Sequence, residues 1–286
     1  MASSVRPPAR SVEVSQGLGV GTLTGRSPVW RPDLGTGAGR LMLSTLSVAV
    51  ALALWQLLST QVFASILFPS VTATLTALVV GLASGELMSQ LAISLGRVVQ
   101  GFLLGSLLGA SLGLLMGSFG VVRKFFDPYV NFFRFITPIA WISPAVIWFG
   151  IGESSKLFLI VYATVFIVLV NTMAGVRHIH RDRVRMARCF GARAWQIFLY
   201  VTLPACVGFI LTGMRIALGN SFMTVIGAEI LASNNGLGYV LYSSRVFFKA
   251  DVMFACILIL GVLGFAADRL FAYLQHRAFG RYASGR

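Results

Sequence analysis

The chain has 286 residues, 57% of them hydrophobic and 11% charged, with a mean hydropathy of +0.83. A soluble domain carries about twice that charge fraction, so a water-soluble enzyme or binding module is excluded. The net charge of +14 would suggest a nucleic-acid partner in a soluble protein. In an apolar chain it is better explained by Lys and Arg gathering in cytoplasmic loops, and no nucleic acid is expected.

Residues 1–40 are rich in Gly, Pro, Ser and Arg and lack an early apolar core, so no cleavable leader is expected there. They read as a disordered cytoplasmic tail. Six apolar runs follow, at about 41–60, 91–117, 129–151, 157–176, 204–228 and 252–274, near the ~20 residues that cross a bilayer as a helix. They predict an all-α membrane protein with six transmembrane helices in a domain spanning 41–275, closed by a cytoplasmic tail at 276–286. The run from Ile66 to Ala83 is broken by Pro69 and dotted with Thr72, Thr74 and Thr76. It reads as an outer-face helix rather than a seventh span.

With six spans, the outer side receives only Lys156, Arg245 and Lys249, and Arg97 and Arg215 fall within spans. Every other Lys and Arg is assigned to the inner side, including Arg123, Lys124 and Arg134. That asymmetry places both termini in the cytoplasm.

The loop at about 177–203 is polar and basic. His180 to Phe190 can form a short helix, Gly191 can adopt the left-handed conformation that closes it, and Ala192 to Val201 can start another. Pro204 suits the first turn of the next span, where its missing N–H costs nothing. Composition alone fits a basic loop resting on anionic lipid headgroups.

The stretch Arg185 to Leu241 resembles the coupling loop and following helix of binding-protein-dependent ABC importer permeases, of the nitrate/sulfonate/taurine class. That pattern has a Glu-Ala-Ala triplet, then a Gly, then a Leu-Pro about a dozen residues on. Here the triplet aligns with Arg185-Met186-Ala187, and Gly191-Ala192 and Leu203-Pro204 match in spacing. Met214-Arg215-Ile216-Ala217, Ala228-Glu229 and Gly236-Leu237-Gly238 follow at the pattern's positions, and weaker likeness covers about residues 60–275. The resemblance implies a type I importer permease whose contact with an ATPase is made by Arg185, Met186, Ala187, Gly191, Ala192, Trp195, Leu203 and Pro204. Arg185 departs from the usual Glu and inverts the local charge. The resemblance also implies partners: ABC ATPase subunits holding ATP and Mg, a periplasmic or lipoprotein substrate-binding protein, and a second permease copy as a homodimer. The setting would be a bacterial inner membrane.

Gly101, Gly105, Gly109, Gly113 and Gly117, four residues apart in span 2, form one smooth ridge that lets another helix approach. Arg97, Arg215 and Glu229 lie in or near apolar zones, where ionisable groups are costly and either pair or face a polar path. Arg215, Glu229, Asn220 and Ser221 are candidates for lining a path for an anionic solute; they serve equally as ion pairs or as hydrogen-bonded glue between helices. Pro138 and Pro144 predict a kink in span 3.

Cys189, Cys206 and Cys256 have neither disulfide nor zinc spacing, and His178 with His180 beside several arginines makes a poor cation site, so no metal is expected. With no catalytic constellation and no phosphate loop, the chain binds no cofactor of its own and is not read as an enzyme. The alternative is an ion-gradient-driven secondary transporter, which would normally show coupling carboxylates or broken-helix repeats.

Overall fold

The computed structural model describes residues 37–62 and 68–283. The expected disordered tail lies outside them up to residue 36, as do the last three residues of the expected cytoplasmic tail. By its internal contacts the chain divides within its first helix, α1 (Gly37–Leu57). The described part of the first unit, residues 37–50, is a stretch of this helix.

The second unit, from Ala51 on, is helical throughout its described residues apart from turns. The end of α1 passes into a π turn, Leu58–Val62. It is tied to the start of α2 (Val71–Ala83): the Trp55 indole N–H donates to Pro69 O at 3.2 Å, and Val71 N–H donates to Gln56 Oε1 at 2.9 Å. Ser70 caps α2 by accepting from Ala73 N–H at 3.2 Å. Thirteen residues reach about 20 Å, short of a ~30 Å hydrocarbon core.

Among the described residues, four helical stretches are long and apolar enough to cross a bilayer: Glu86–Ser118, Glu153–Arg177, Ala194–Ala232 and Ala250–Arg277. They correspond to the second, fourth, fifth and sixth expected spans. The apolar part of the first, Thr45–Gln61, is shorter, at the low end of spanning length.

The third expected span is two helices rather than one kinked helix. α4 (Gly120–Phe133) and the segment Pro138–Phe149 meet at 90°. Pro138 opens a 3₁₀ turn that passes into α5 (Ile142–Phe149), and Pro144 lies in the first turn of α5. Both prolines therefore sit where a helix starts and the missing N–H is harmless, and the bend falls in the four residues before Pro138.

The core is a three-helix contact. α3 (Glu86–Ser118) runs parallel to α6 (Glu153–Arg177) along the glycine ridge. A Cβ built on Gly101, Gly105, Gly109, Gly113 or Gly117 would meet Ile160, Thr164, Val165 O, Leu169 O and Val176 in turn, each at 2.6 or 2.7 Å. The backbones are thus too close for any side chain. α9 (Leu203–Ala232) runs antiparallel to α6, with Gly213 against Asn171 and Ser221 hydrogen-bonded to Thr164 at 3.0 Å. α10 (Leu237–Val246) and α11 (Ala250–Ala283) pack beside them, joining α2 and α3 through Leu87, Leu237, Cys256 and Ile259.

Candidate functional site

Two constructions stand at opposite ends of this bundle. At one end, α6 leads through His178 to α7 (Arg181–Cys189). Phe190 and Gly191 close α7: Gly191 N–H donates to Arg188 O at 2.9 Å and Ala192 N–H to Ala187 O at 3.0 Å. That pair of bonds is a Schellman closure. It needs a left-handed residue, and Gly191 has φ +78°.

After the turn, α8 (Ala194–Ile197) begins, with Arg193 N–H donating to Gln196 Oε1 at 2.8 Å. It does not stop before the next span. A π turn, Phe198–Thr202, carries it into α9, so Ala194–Ala232 is one continuous helical rod. The wider π turn falls where Pro204 would otherwise crowd the preceding turn and leave its carbonyls unpaired. Leu203 and Pro204 therefore sit within the rod, at the start of its α-helical part.

The surface of this α7–turn–α8 element is basic, with Arg183, Arg185, Arg188 and Arg193 exposed, and it also presents large apolar side chains. Phe190 is 90% exposed and Trp195 65%, with Met186 exposed nearby. Arg185 makes an exposed contact with Asp182 at 3.6 Å. Behind the element lies a cavity of about 390 Å³, lined by Gly117, Phe119, Val176, Arg185, Ile197 and Phe198 among others.

At the other end is a buried ionic cluster. Arg97, 3% exposed, donates from Nε to Glu153 Oε2 and from Nη1 to Glu229 Oε1, both at 2.6 Å. It also bonds Asn235 through that residue's backbone oxygen at 3.1 Å and through its side-chain oxygen. Glu229 is 0% exposed and takes further bonds from Ser94 Oγ and from Gly238 N–H at 2.9 Å. Ser94 in turn accepts from Leu237 N–H at 2.9 Å, and Gln90 Oε1 accepts from Gly236 N–H. Lys156, itself buried, reaches Glu153 at 3.4 Å.

The cluster ties α3, α6, the end of α9 and the loop into α10 together. Gly236 takes φ +103°, and a Cβ there would run into the Glu229 carboxylate. A Cβ on Gly238 would lie 2.7 Å from Glu229 Cβ. The Gly-Leu-Gly loop is thus folded directly onto the buried acid.

The candidate path residues do not share one location. Ser221 is fully buried between α9 and α6, and Asn220 donates weakly to Ala163 O at 3.5 Å. Arg215 forms a two-pronged pair with Asp268 of α11, both bonds 2.7 Å, on an exposed face of the bundle. Arg134 is not an inner-loop residue beside Arg123. It caps α4, whose last carbonyl, Phe133 O, accepts from Tyr162 OH at 2.6 Å, partway along α6.

Sequence reasoning missed Glu153 and Asp268 as partners. Asp268 stood in the sixth apolar run, and its lone carboxylate was the signal that Arg215 had a mate. Glu153 lay just ahead of the fourth run and looked like loop.

Comparison with known proteins agrees with this architecture. Residues 105–280 match the family model described as binding-protein-dependent transport system inner membrane component. The taurine transport system permease protein of Escherichia coli is 33% identical, over 87% of this chain and 91% of its own length. The bicarbonate transport system permease protein of Synechococcus elongatus is 36% identical, over 68% of this chain and 70% of its own. In fold, the chain is similar to one from the MetNI methionine ABC transporter in inward facing conformations. The TM-score is 0.55 at 19% identity, covering 63% of this chain and 92% of that one.

Proposed function

The chain belongs to the family of binding-protein-dependent transport system inner membrane components, and we propose that it is the membrane half of an ATP-driven importer for a small oxyanion such as a sulfonate or bicarbonate. The observation that carries this reading is the α7–turn–α8 element. It presents Met186, Phe190 and Trp195 on a turn closed by Gly191, and it continues as one rod into α9. An exposed aromatic pair on a basic element is a docking surface for a protein. A continuous helix passes displacement at that surface into the membrane without a hinge.

ATP and Mg would be held by two separate ATPase chains seated on these elements. A second permease copy would complete the pathway, and exposed residues such as Ile147 and Met223 are available to meet it. A substrate-binding protein would deliver cargo at the end carrying the Gly236–Gly238 loop. Closure of the ATPases would move the rod and exchange inward-open for outward-open states by their differential affinity for the two. The chain would reside in a cell's inner membrane with both termini inside, in line with the positive residues of its tails and coupling loop. The relatives' printed cargoes, taurine and bicarbonate, support the oxyanion class.

The test is affinity purification of the chain from membranes that also express the neighbouring genes. Recovery of a chain bearing a Walker phosphate loop, and its loss with Phe190→Ala/Trp195→Ala, is the expected result. Purification of the chain alone, with the loop intact, would oppose it and favour the gradient-driven transporter.

A further inference from the structure

Resting on that reading, one groove of the bundle has a chemistry of its own. α4 has two faces. Val121, Phe125, Tyr129 and Phe132 are exposed on one side, as suits contact with lipid. Arg123, Asp127 and Asn131, four residues apart, and Arg134 at the helix end, line a groove against α6. The α6 side contributes Val170, Met173, Arg177 and His178, and the groove holds about 530 Å³. Arg123, Arg177 and His178 line one end of it, and Arg134, itself exposed, lines it about 16 Å further along α4, the rise of eleven residues.

Tyr162, which bonds the carbonyl beside Arg134, is fifteen residues from Arg177, or about 22 Å along α6. Arg134 therefore sits well inside the length of the spanning helix. The two arginines that the sequence places within spans have carboxylate partners: Arg97 has Glu153 and Glu229, and Arg215 has Asp268. Among the described residues, Arg123, Arg134 and Arg177 have no carboxylate within salt-bridge distance. Arg134 stacks on Phe135 at 4.7 Å and Arg177 reaches only the Met173 sulfur. Three cations against one aspartate, in a groove walled by apolar helices, leave an uncompensated positive field that a mobile anion would neutralise.

We propose that the α4–α6 groove is an oxyanion-binding site, with Arg134 at one end and Arg123 and Arg177 at the other. A guanidinium fork matches the paired oxygens of a sulfonate, a bicarbonate or a phosphodiester. The occupant is the transported solute on its way in, or the headgroup of an anionic lipid; the chemistry of the site is the same for both.

The test places a single thiol in the groove: Asn131→Cys in the full chain, with Cys189, Cys206 and Cys256 replaced by Ala, in phosphatidylcholine nanodiscs. Labelling by sulfonatoethyl methanethiosulfonate is compared with labelling by its trimethylammonium analogue, each divided by its rate with 2-mercaptoethanol. The expected preference for the sulfonate reagent is about tenfold. It is kept by Arg134→Lys and reduced several-fold by Arg134→Gln. Slowing of labelling by excess methanesulfonate in neutral lipid identifies the solute as occupant, whereas slowing only after adding phosphatidylglycerol identifies the headgroup. Equal normalised rates, or labelling that neither anion slows, overturns the site. ATP-driven uptake by the assembled transporter is read separately: uptake without anion preference defeats the site alone, and preference without uptake defeats the importer reading alone.

Discussion

The substitution Glu229→Gln removes one charge and no volume from the buried cluster. Glu229 Oε1 faces the Arg97 guanidinium, and Oε2 faces Gly238 N–H at 2.9 Å. A glutamine has one oxygen and one NH₂, so either orientation sets a donor against a donor. Losing one partner of a buried ion pair costs about 3–5 kcal/mol. Arg97 keeps its two-pronged bond to Glu153, which is 58% exposed and partly solvated, so the lower end applies, about 3 kcal/mol. The remedy is equally specific. Removing Arg97 as well, in Arg97→Met/Glu229→Gln, frees the amide NH₂ from its clash and leaves Glu153 with Lys156 and solvent. Unfolding in mixed micelles should show the single variant destabilised by about 3 kcal/mol and the double variant recovering part of it. A Glu229→Gln chain as stable as the parent, or a double variant weaker than the single, would refute the claim that paired buried charge holds this end together.

Gly109→Leu should abolish recovery of folded chain, because even a Cβ there lies 2.6 Å from Val165 O, whereas Gly261→Leu, with open space around it, should leave recovery unchanged; size-exclusion profiles distinguish the two. Gly191→Val should cost about 1–2 kcal/mol in α7 closure. It should lower ATPase stimulation while leaving the thermal midpoint of the membrane core in place. For Arg215 and Asp268, either single charge reversal should reduce folded yield, and the double reversal Arg215→Asp/Asp268→Arg should restore it. Equal yields across all three would mean that the pair contributes nothing.

Much of this fold was legible because a bilayer asks simple questions of a sequence. Runs of apolar residues near spanning length can do little else, and the four-residue glycine spacing of α3 announces a close helix contact. What the spacing withholds is the partner: nothing on α3 says that the ridge meets α6 in parallel register. The bend between α4 and α5 was half visible. Pro138 signals an interruption, but a proline at a kink and a proline opening a new helix look alike from sequence. Pro204 stands in the first turn of α9 as its chemistry suggests, but nothing in the sequence marks the π turn before it that joins α8 and α9 into one rod. Among the charges, Arg97 and Glu229 stood out as costly, while Glu153 and Asp268 did not, because a carboxylate near a helix start or among apolar neighbours gains meaning only from the arginine opposite. Arg134 was sorted with loop residues for the same reason. Its depth is set by the Tyr162 bond and by the right-angle turn after it.

The measurement that bears most directly on the account is solute uptake into liposomes holding this chain with its proposed ATPase and a loaded candidate binding protein, with radiolabelled taurine as the first probe and bicarbonate as the second. The account predicts uptake that requires internal ATP, persists when ion gradients are collapsed, and falls to background with Phe190→Ala/Trp195→Ala. Uptake that runs without ATP and stops when a proton or sodium gradient is dissipated would contradict it.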